Sequence, residues 1–180
     1  MKNIVVLDDN LFSEVATLGE LKLRGYSLAC FENSSELFNH LEEGRSVDLF
    51  ILDVQLPEAS IEYTDNHYKT MDGMRTGIVV AQLLRKAQID VPIIFYSVAH
   101  LTEDIHPIYE YEKRDENAIY FDKSNVDTRY QLADFIDELF KKGTLSKSKW
   151  LTIFGNSIEV KPSFCGVGIN LKEIFRNFKR

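Results

Sequence analysis

Five polar side chains follow short apolar runs in this sequence. Asp8 and Asp9 come directly after NIVVL, Asp53 after LFIL and Ser97 after IIFY, and Lys123 comes two residues after AIYF. Carboxylates that crowd together repel one another, and a nearby cation relieves that repulsion. Mg²⁺ suits such a set, because it prefers oxygen ligands and needs only one or two carboxylates beside its waters. If the fold brings these residues together, they predict a magnesium site beside a lysine and a hydroxyl.

Phosphoryl transfer is the chemistry that this set of side chains favours. A carboxylate oxygen of Asp53 can act as a nucleophile toward phosphorus. The transferring phosphoryl group needs positive charge and hydrogen-bond donors around its oxygens, which Mg²⁺, Lys123 and Ser97 would supply. A single aspartate after a strand is more often a helix cap or a turn residue. The hypothesis therefore depends on elements that place all of these residues at one point.

Strands and helices alternate along the chain. The run from Leu49 to Leu52 is continuously apolar, which is typical of a strand buried on both faces of a parallel sheet. Further strands are predicted at Asn3–Leu7, Tyr26–Phe31, Ile93–Tyr96 and Ala118–Phe121, and helices at Leu11–Arg24, from a capping box at Asn33 to Glu43, at Met74–Ala87 and at Asp127–Lys142.

This alternation predicts an α/β fold with a doubly wound parallel sheet and helices on both faces. Crossovers between parallel strands are right-handed in about 98% of cases, so all five strands should end at the same edge. Ligands bind at the carboxyl edge of open α/β sheets. We therefore expect the acidic residues, Ser97 and Lys123 to meet there.

These strand ends resemble those of response-regulator receiver domains. The resemblance covers roughly residues 1–142, and it implies a flavodoxin-like receiver with strand order 2-1-3-4-5. It also implies a two-component or phosphorelay signalling protein that is not an enzyme, beyond promoting its own phosphorylation and dephosphorylation. The motifs that carry it are VVLDDN (Val5–Asn10), DLFILDVQLP (Asp48–Pro57), MDGM (Met71–Met74), PIIFYSVA (Pro92–Ala99) and YFDKS (Tyr120–Ser124).

The resemblance implies a role for each acidic residue at the predicted edge. Asp53 would accept a phosphoryl group from a histidine kinase or a phosphotransfer protein in a Mg²⁺-dependent reaction. Asp9 and Asp53 would bind the metal directly, Asp8 would support it through water, and the backbone carbonyl of Gln55 would be the third protein ligand.

The resemblance also implies a switch beside the phosphoacceptor. Lys123 and Ser97 would bind the phosphoryl oxygens. Tyr120 matches the aromatic residue that turns inward on activation in this family, although an ordinary aromatic at a sheet edge is an equal alternative. The family role of this switch is to change the binding of a downstream protein.

The sequence departs from the family pattern near the predicted site. The polar segment Glu58–Met71 is longer than usual by about a dozen residues, and it is interpreted as a loop or as a partner-binding element. Ser124 stands where the family usually has a proline, so a trans peptide bond is expected after Lys123. Val98 replaces a smaller residue and would narrow the access to Asp53.

Residues 143–180 are predicted to form a small basic ββα extension. Residues 141–180 contain nine basic and two acidic residues, a charge of +7, whereas the remaining 12 basic and 26 acidic residues give −14. The predicted final helix has an apolar stripe at Leu171, Ile174, Phe175 and Phe178. We expect the extension to dock on the receiver or on a sister subunit, which would form a homodimer.

Two classes of alternative function remain at this level. The chain could be a receiver-like adaptor that binds partners without phosphorylation. A nucleic-acid-binding regulator acting through the basic tail is less favoured, because no recognition motif is present. With two cysteines, no signal-peptide pattern and no apolar run long enough to span a bilayer, the sequence predicts a reduced, cytoplasmic protein without a membrane partner.

Overall fold

The computed structural model describes residues 1–56, 75–98, 111, 114–124 and 126–142, without the side chains of 126–129 and 142. All of them belong to Met1–Thr144, the first of the two units into which the chain divides. The insertion at Glu58–Met71, the MDGM motif and the ββα extension lie outside the described residues. The boundary after residue 142 and the docking of the tail therefore stay predictions.

Five parallel strands form one sheet in the order β2-β1-β3-β4-β5, which confirms the predicted flavodoxin-like arrangement. Every residue of β3 and β4 is buried, as expected for strands covered on both faces, whereas the outer strand β2 is only half-buried. The strands are β1 (Asn3–Leu7), β2 (Ser27–Phe31), β3 (Leu49–Leu52), β4 (Ile93–Ser97) and β5 (Ala118–Asp122).

Four helices connect or follow these strands in the part of the chain that the structure describes. The predicted cap at Asn33 is present, because its side chain accepts a hydrogen bond from the backbone N–H of Glu36. None of the described helices is long and apolar enough to cross a membrane. The helices are α1 (Val15–Leu23), α2 (Ser34–Glu42), α3 (Thr76–Lys86) and α4 (Val126–Lys142).

Helix α1 differs from its prediction in its start and in the face that it buries. It begins at Val15, four residues later than expected, because the preceding residues form tight turns in which Ser13 N–H donates to the carbonyl of Asn10. Leu11, Val15 and Leu18 have helical spacing in the sequence, which predicts that they share an apolar face, yet 61% of the surface of Val15 is exposed. The residues of α1 that are fully buried are Thr17 and Leu21.

The register of the sheet places the predicted site residues side by side. Leu7 in β1 is paired with Leu52 in β3, so the residues that follow them, Asp8 and Asp53, leave the sheet at the same level. The Asp53 N–H extends this ladder by donating to the carbonyl of Leu7. The backbone N–H of Lys123 extends the pairing of β5 with β4 in the same way, by donating to the carbonyl of Ser97 at 3.0 Å.

Candidate functional site

The carboxylate of Asp53 lines a pocket, and both of its oxygens accept hydrogen bonds. Its Oδ1 accepts from the hydroxyl of Ser97 at 2.6 Å and from the backbone N–H of Gln55 at 3.1 Å. Its Oδ2 accepts from Nζ of Lys123 at 2.7 Å. Only 9% of Asp53 is exposed. These contacts hold the carboxylate in one orientation, with donors on both oxygens.

Lys123 places a positive charge among the carboxylates of the pocket. Its side chain is buried and pairs with Asp8 and with Asp53. Burial acts to lower the pKa of the Lys123 ammonium, but attraction to Asp53 and hydrogen bonds to Asp53 and Asp8 leave that pKa above its usual value. Lys123 is therefore charged at neutral pH.

Three carboxylates in the pocket form a set that could hold a metal ion. One oxygen from each of Asp8, Asp9 and Asp53 lies within 4.8 Å of the others. Burial, and then repulsion by Asp53 and Asp8, raise the pKa of Asp9 above its usual value. A hard divalent cation would relieve that repulsion, so these residues fit Mg²⁺. The carbonyl of Gln55 as a further ligand stays a prediction, as does the water-mediated role of Asp8.

The pocket above Asp53 has a volume of about 450 Å³. Val98 lines it, and Ser13 and Glu14 form another part of the wall. The expected narrowing of access to Asp53 by Val98 stays a prediction. The peptide bond between Lys123 and Ser124 is trans, as expected for a non-proline residue. The pocket is large enough for a phosphoryl group and a hydrated cation.

Tyr120 is linked to the pocket by a hydrogen bond to the backbone of Ser97. Its hydroxyl donates to the carbonyl of Ser97 at 3.1 Å, and its ring packs, partly buried, against the apolar core. The side chain is therefore partly buried, and its role as a switch stays a prediction. The hydroxyl of Ser97 binds Asp53 at the same time, so Tyr120 and the predicted phosphoacceptor share one intermediate residue.

The site also contains residues that the sequence did not single out, among them Ser13, Glu14 and Gly77. Glu14 is only 4% exposed and lines the pocket, and a lone glutamate in this stretch of the sequence gave no signal of such burial. Gly77, the second residue of α3, lies directly against the backbone of Asp53 and Val54. A glycine inside an otherwise apolar helix was the available sign of such a close approach.

Comparison with known proteins supports the architecture. No family model matches the chain. It is 30% identical over 99 residues to probable histidine kinase 5 of Oryza sativa subsp. japonica, which is 52% of this chain but 8% of that protein. The similarity thus spans less than a tenth of the curated relatives that the chain matches.

Two solved structures share the fold at low sequence identity. The receiver domain of the Francisella response regulator 1452 superposes with a TM-score of 0.57 and 18% identity, covering 79% of this chain and 98% of that one. A CheY-like response regulator receiver domain protein from Methanospirillum hungatei JF-1 superposes with a TM-score of 0.53 and 18% identity, covering 79% and 99%. The chain therefore has the flavodoxin-like fold of response-regulator receiver domains.

Proposed function

We propose that this chain is a phosphoacceptor of two-component signalling. Asp53 receives a phosphoryl group from a histidine kinase or a phosphotransfer protein, and the phosphorylated chain binds a downstream protein differently. The observation that carries this proposal is the setting of the Asp53 carboxylate, which lies in an open pocket between the Ser97 hydroxyl and the Lys123 ammonium.

The residues of the pocket account for each part of the reaction. An oxygen of Asp53 attacks phosphorus, the phosphorus–nitrogen bond of the phosphohistidine donor breaks, and the electron pair of that bond stays on the imidazole. The product is an acyl phosphate. Ser97 and Lys123 already donate to Asp53, so they are placed to bind the oxygens of the new group. Mg²⁺, held by Asp8, Asp9 and Asp53, would supply further positive charge there.

Ser97 and Tyr120 supply a means of transmitting the change. The hydroxyl of Ser97 has one proton, which it donates to Asp53 in this structure. If that proton is donated to a phosphoryl oxygen instead, Ser97 must shift. The hydroxyl of Tyr120 is hydrogen-bonded to the carbonyl of Ser97, so Tyr120 would respond to the same movement. In this proposal the chain acts on no substrate other than its own aspartyl phosphate, and it works in the cytoplasm.

The proposal is tested by labelling with a small phosphodonor. Incubation of the full chain with Mg²⁺ and acetyl phosphate should add one phosphoryl group, detected by intact mass, and Asp53→Asn should abolish the addition. Asp122→Asn is the matched control, because Asp122 ends strand β5 at the same edge of the sheet but accepts a hydrogen bond from the backbone N–H of Ser124. Labelling that persists in Asp53→Asn would overturn the assignment of the phosphoacceptor.

Beryllofluoride separates this function from that of a phosphorylation-independent adaptor. With Mg²⁺ it mimics an aspartyl phosphate, so it should shift the amide resonances of Ser97 and Tyr120 in the wild type and not in Asp53→Asn. If the spectrum of the wild type does not change, while the chain still binds its partners, the adaptor function is supported.

An exposed apolar surface beside the pocket is suited to a protein donor. Phe12 is 88% exposed and Val15 is 61% exposed, and they flank Ser13 and Glu14 in the pocket wall. Large exposed apolar side chains that lie close together are typical of protein interaction sites. We infer that the phosphodonor protein contacts this surface.

Phe12→Ser is expected to reduce phosphorylation by a protein donor about tenfold, the usual scale for losing an aromatic anchor. Phosphorylation by acetyl phosphate should not change, because this small donor needs no docking surface. Tyr130→Ser is the control, since Tyr130 is an exposed aromatic residue on α4. An equal loss of rate with both donors would show that Phe12 acts on the pocket itself.

A further inference from the structure

Glu14 is a buried carboxylate for which the proposed reaction has no role. It immediately precedes α1, and its two carboxylate oxygens lie 3.2 Å from the hydroxyls of Ser13 and Thr17. Glutamate is rarely buried without a counter-charge. The cation that faces it is Lys123, whose Nζ lies 3.9 Å from Oε1 of Glu14.

Lys123 has nearer partners than Glu14, and both of them belong to the predicted metal set. Its Nζ contacts Oδ2 of Asp8 and Oδ2 of Asp53. A divalent cation bound by these carboxylates competes with the ammonium for their oxygens, because two adjacent cations repel each other. Among the carboxylates that the structure describes within 4.0 Å of the Lys123 ammonium, Glu14 is the one outside the metal set.

We propose that Glu14 is a positioning residue that holds Lys123 when a divalent cation takes Asp8. The inference rests on the proposed function and deepens it, because it states how one pocket holds Lys123 and Mg²⁺ together. Glu14 keeps the ammonium beside Asp53, where the phosphoryl group arrives. Without that charge, Lys123 stays on Asp8 and opposes the entry of the metal ion.

The aromatic ring of Tyr96 is a further neighbour of the Lys123 ammonium. The ring is buried, and its centroid lies 5.4 Å from Nζ. A lysine over an aromatic face at this distance gains a favourable cation–π interaction. Lys123 therefore contacts two groups outside the predicted metal set, the Tyr96 ring and Glu14, which would remain its partners if the ammonium moved away from Asp8.

The test is a titration of the full chain with Mg²⁺, followed by the amide resonances of Asp53 and Lys123. Glu14→Gln keeps the size of the side chain and an acceptor for the Thr17 hydroxyl but removes the charge. We expect its Mg²⁺ dissociation constant to rise about five- to tenfold. Glu14→Asp keeps the charge and should restore part of the affinity. Asp9→Ala, which removes a predicted ligand, should abolish the response.

Glu20→Gln is the matched control for a general charge effect. It makes the same charge change within α1, the helix that Glu14 immediately precedes, but Glu20 pairs with Arg24 and does not line the pocket. Thr17→Val removes a hydroxyl that fixes Glu14 and should weaken Mg²⁺ binding less than Glu14→Gln, whereas Thr17→Ser should have no effect. These two variants test the inference even if Glu14→Gln is poorly folded.

The inference is overturned if Glu14→Gln and Thr17→Val bind Mg²⁺ as tightly as the wild type, or if Glu20→Gln weakens binding as much as Glu14→Gln does. Neither result contradicts the proposed function, which is tested separately by the labelling of Asp53 with acetyl phosphate. A wild-type chain that does not bind Mg²⁺ at all would overturn both this inference and the metal dependence of the proposed reaction.

Discussion

Replacing Gly77 with alanine should lower the free energy of unfolding by about 1–3 kcal/mol or more, the cost of overpacking a rigid site. A Cβ at this position would lie 1.9 Å from the carbonyl oxygen of Asp53 and 2.9 Å from Cα of Val54. Both atoms belong to the backbone, so no flexible side chain can move aside. Gly77 N–H also donates to the carbonyl of Val54 at 3.0 Å, which ties α3 to this backbone.

The same substitution should strongly reduce phosphorylation of Asp53. The backbone that Gly77 contacts carries the carboxylate, so any shift that relieves the clash also displaces the nucleophile from Ser97 and Lys123. A displacement of about 1 Å can cost about a hundredfold in rate. Denaturant unfolding measures the first effect, and the initial rate of labelling by acetyl phosphate measures the second.

Gly19→Ala is the matched control for the Gly77 substitution. Gly19 lies within α1, and a Cβ there meets no atom within 4 Å. Alanine in a helix interior is more stable than glycine by about 0.5–1 kcal/mol, so this variant should gain stability and keep its rate of labelling. If Gly77→Ala is also stable and active, α3 does not pack on Asp53 as closely as the structure indicates.

Replacing Lys123 with methionine should destabilise the metal-free protein by about 3–5 kcal/mol, the usual cost of removing one partner from a buried ion pair. Lys123 is only 8% exposed and faces three carboxylates, those of Asp8, Asp53 and Glu14. Methionine keeps most of the volume, so the effect arises mainly from charge. Mg²⁺ should restore part of the stability, because it supplies positive charge to Asp8 and Asp53.

The pH dependence of this effect follows from the raised pKa of Lys123. A lysine whose pKa is higher in the folded state contributes its full stability below the unfolded value of roughly 10.4. That contribution is lost as the pH rises through the folded pKa. The difference in stability between the wild type and Lys123→Met should therefore persist at neutral pH and narrow only in the alkaline range above that value.

Lys141→Met is the control for losing a lysine charge. Lys141 lies on the exposed surface of α4, where its Nζ is 3.6 Å from Glu138. Exposed pairs of this kind contribute about 0–1 kcal/mol, so this variant should unfold almost as the wild type does. If Lys123→Met also lowers the free energy of unfolding by no more than about 1 kcal/mol in denaturant titrations without metal, the buried carboxylates do not depend on Lys123 for their charge balance.

The sequence by itself was sufficient to determine the sheet and the set of residues at its edge. Continuous apolar runs such as Leu49–Leu52 form buried strands, and the polar residue that follows each run marks where the strand leaves the sheet. Alternation with helices predicts parallel strands, and the carboxyl ends of parallel strands lie at the same edge of the sheet. Asp8, Asp53 and Ser97 could therefore be placed at one edge of the sheet from the sequence alone.

Helical periodicity was less informative, because it does not identify the face that packs. Leu11, Val15 and Leu18 have helical spacing, yet α1 starts only at Val15 and leaves that side chain exposed. The turns after Asp9 depend on local hydrogen bonds of Asn10, which compete with an earlier start of the helix. Which side of α1 is buried depends on its neighbours in the fold.

Only the tertiary structure showed how closely the parts of the site approach one another. The contact of Gly77 with Asp53 joins positions 24 residues apart, and the approach of Glu14 to Lys123 joins positions 109 residues apart. The hydrogen bond from Tyr120 to Ser97 likewise spans two strands. Such contacts depend on the distances between packed elements, which residue types and spacing along the chain do not encode locally. The types of residue at the site could thus be predicted from the sequence, whereas the burial of their charges depends on how the helices and strands pack.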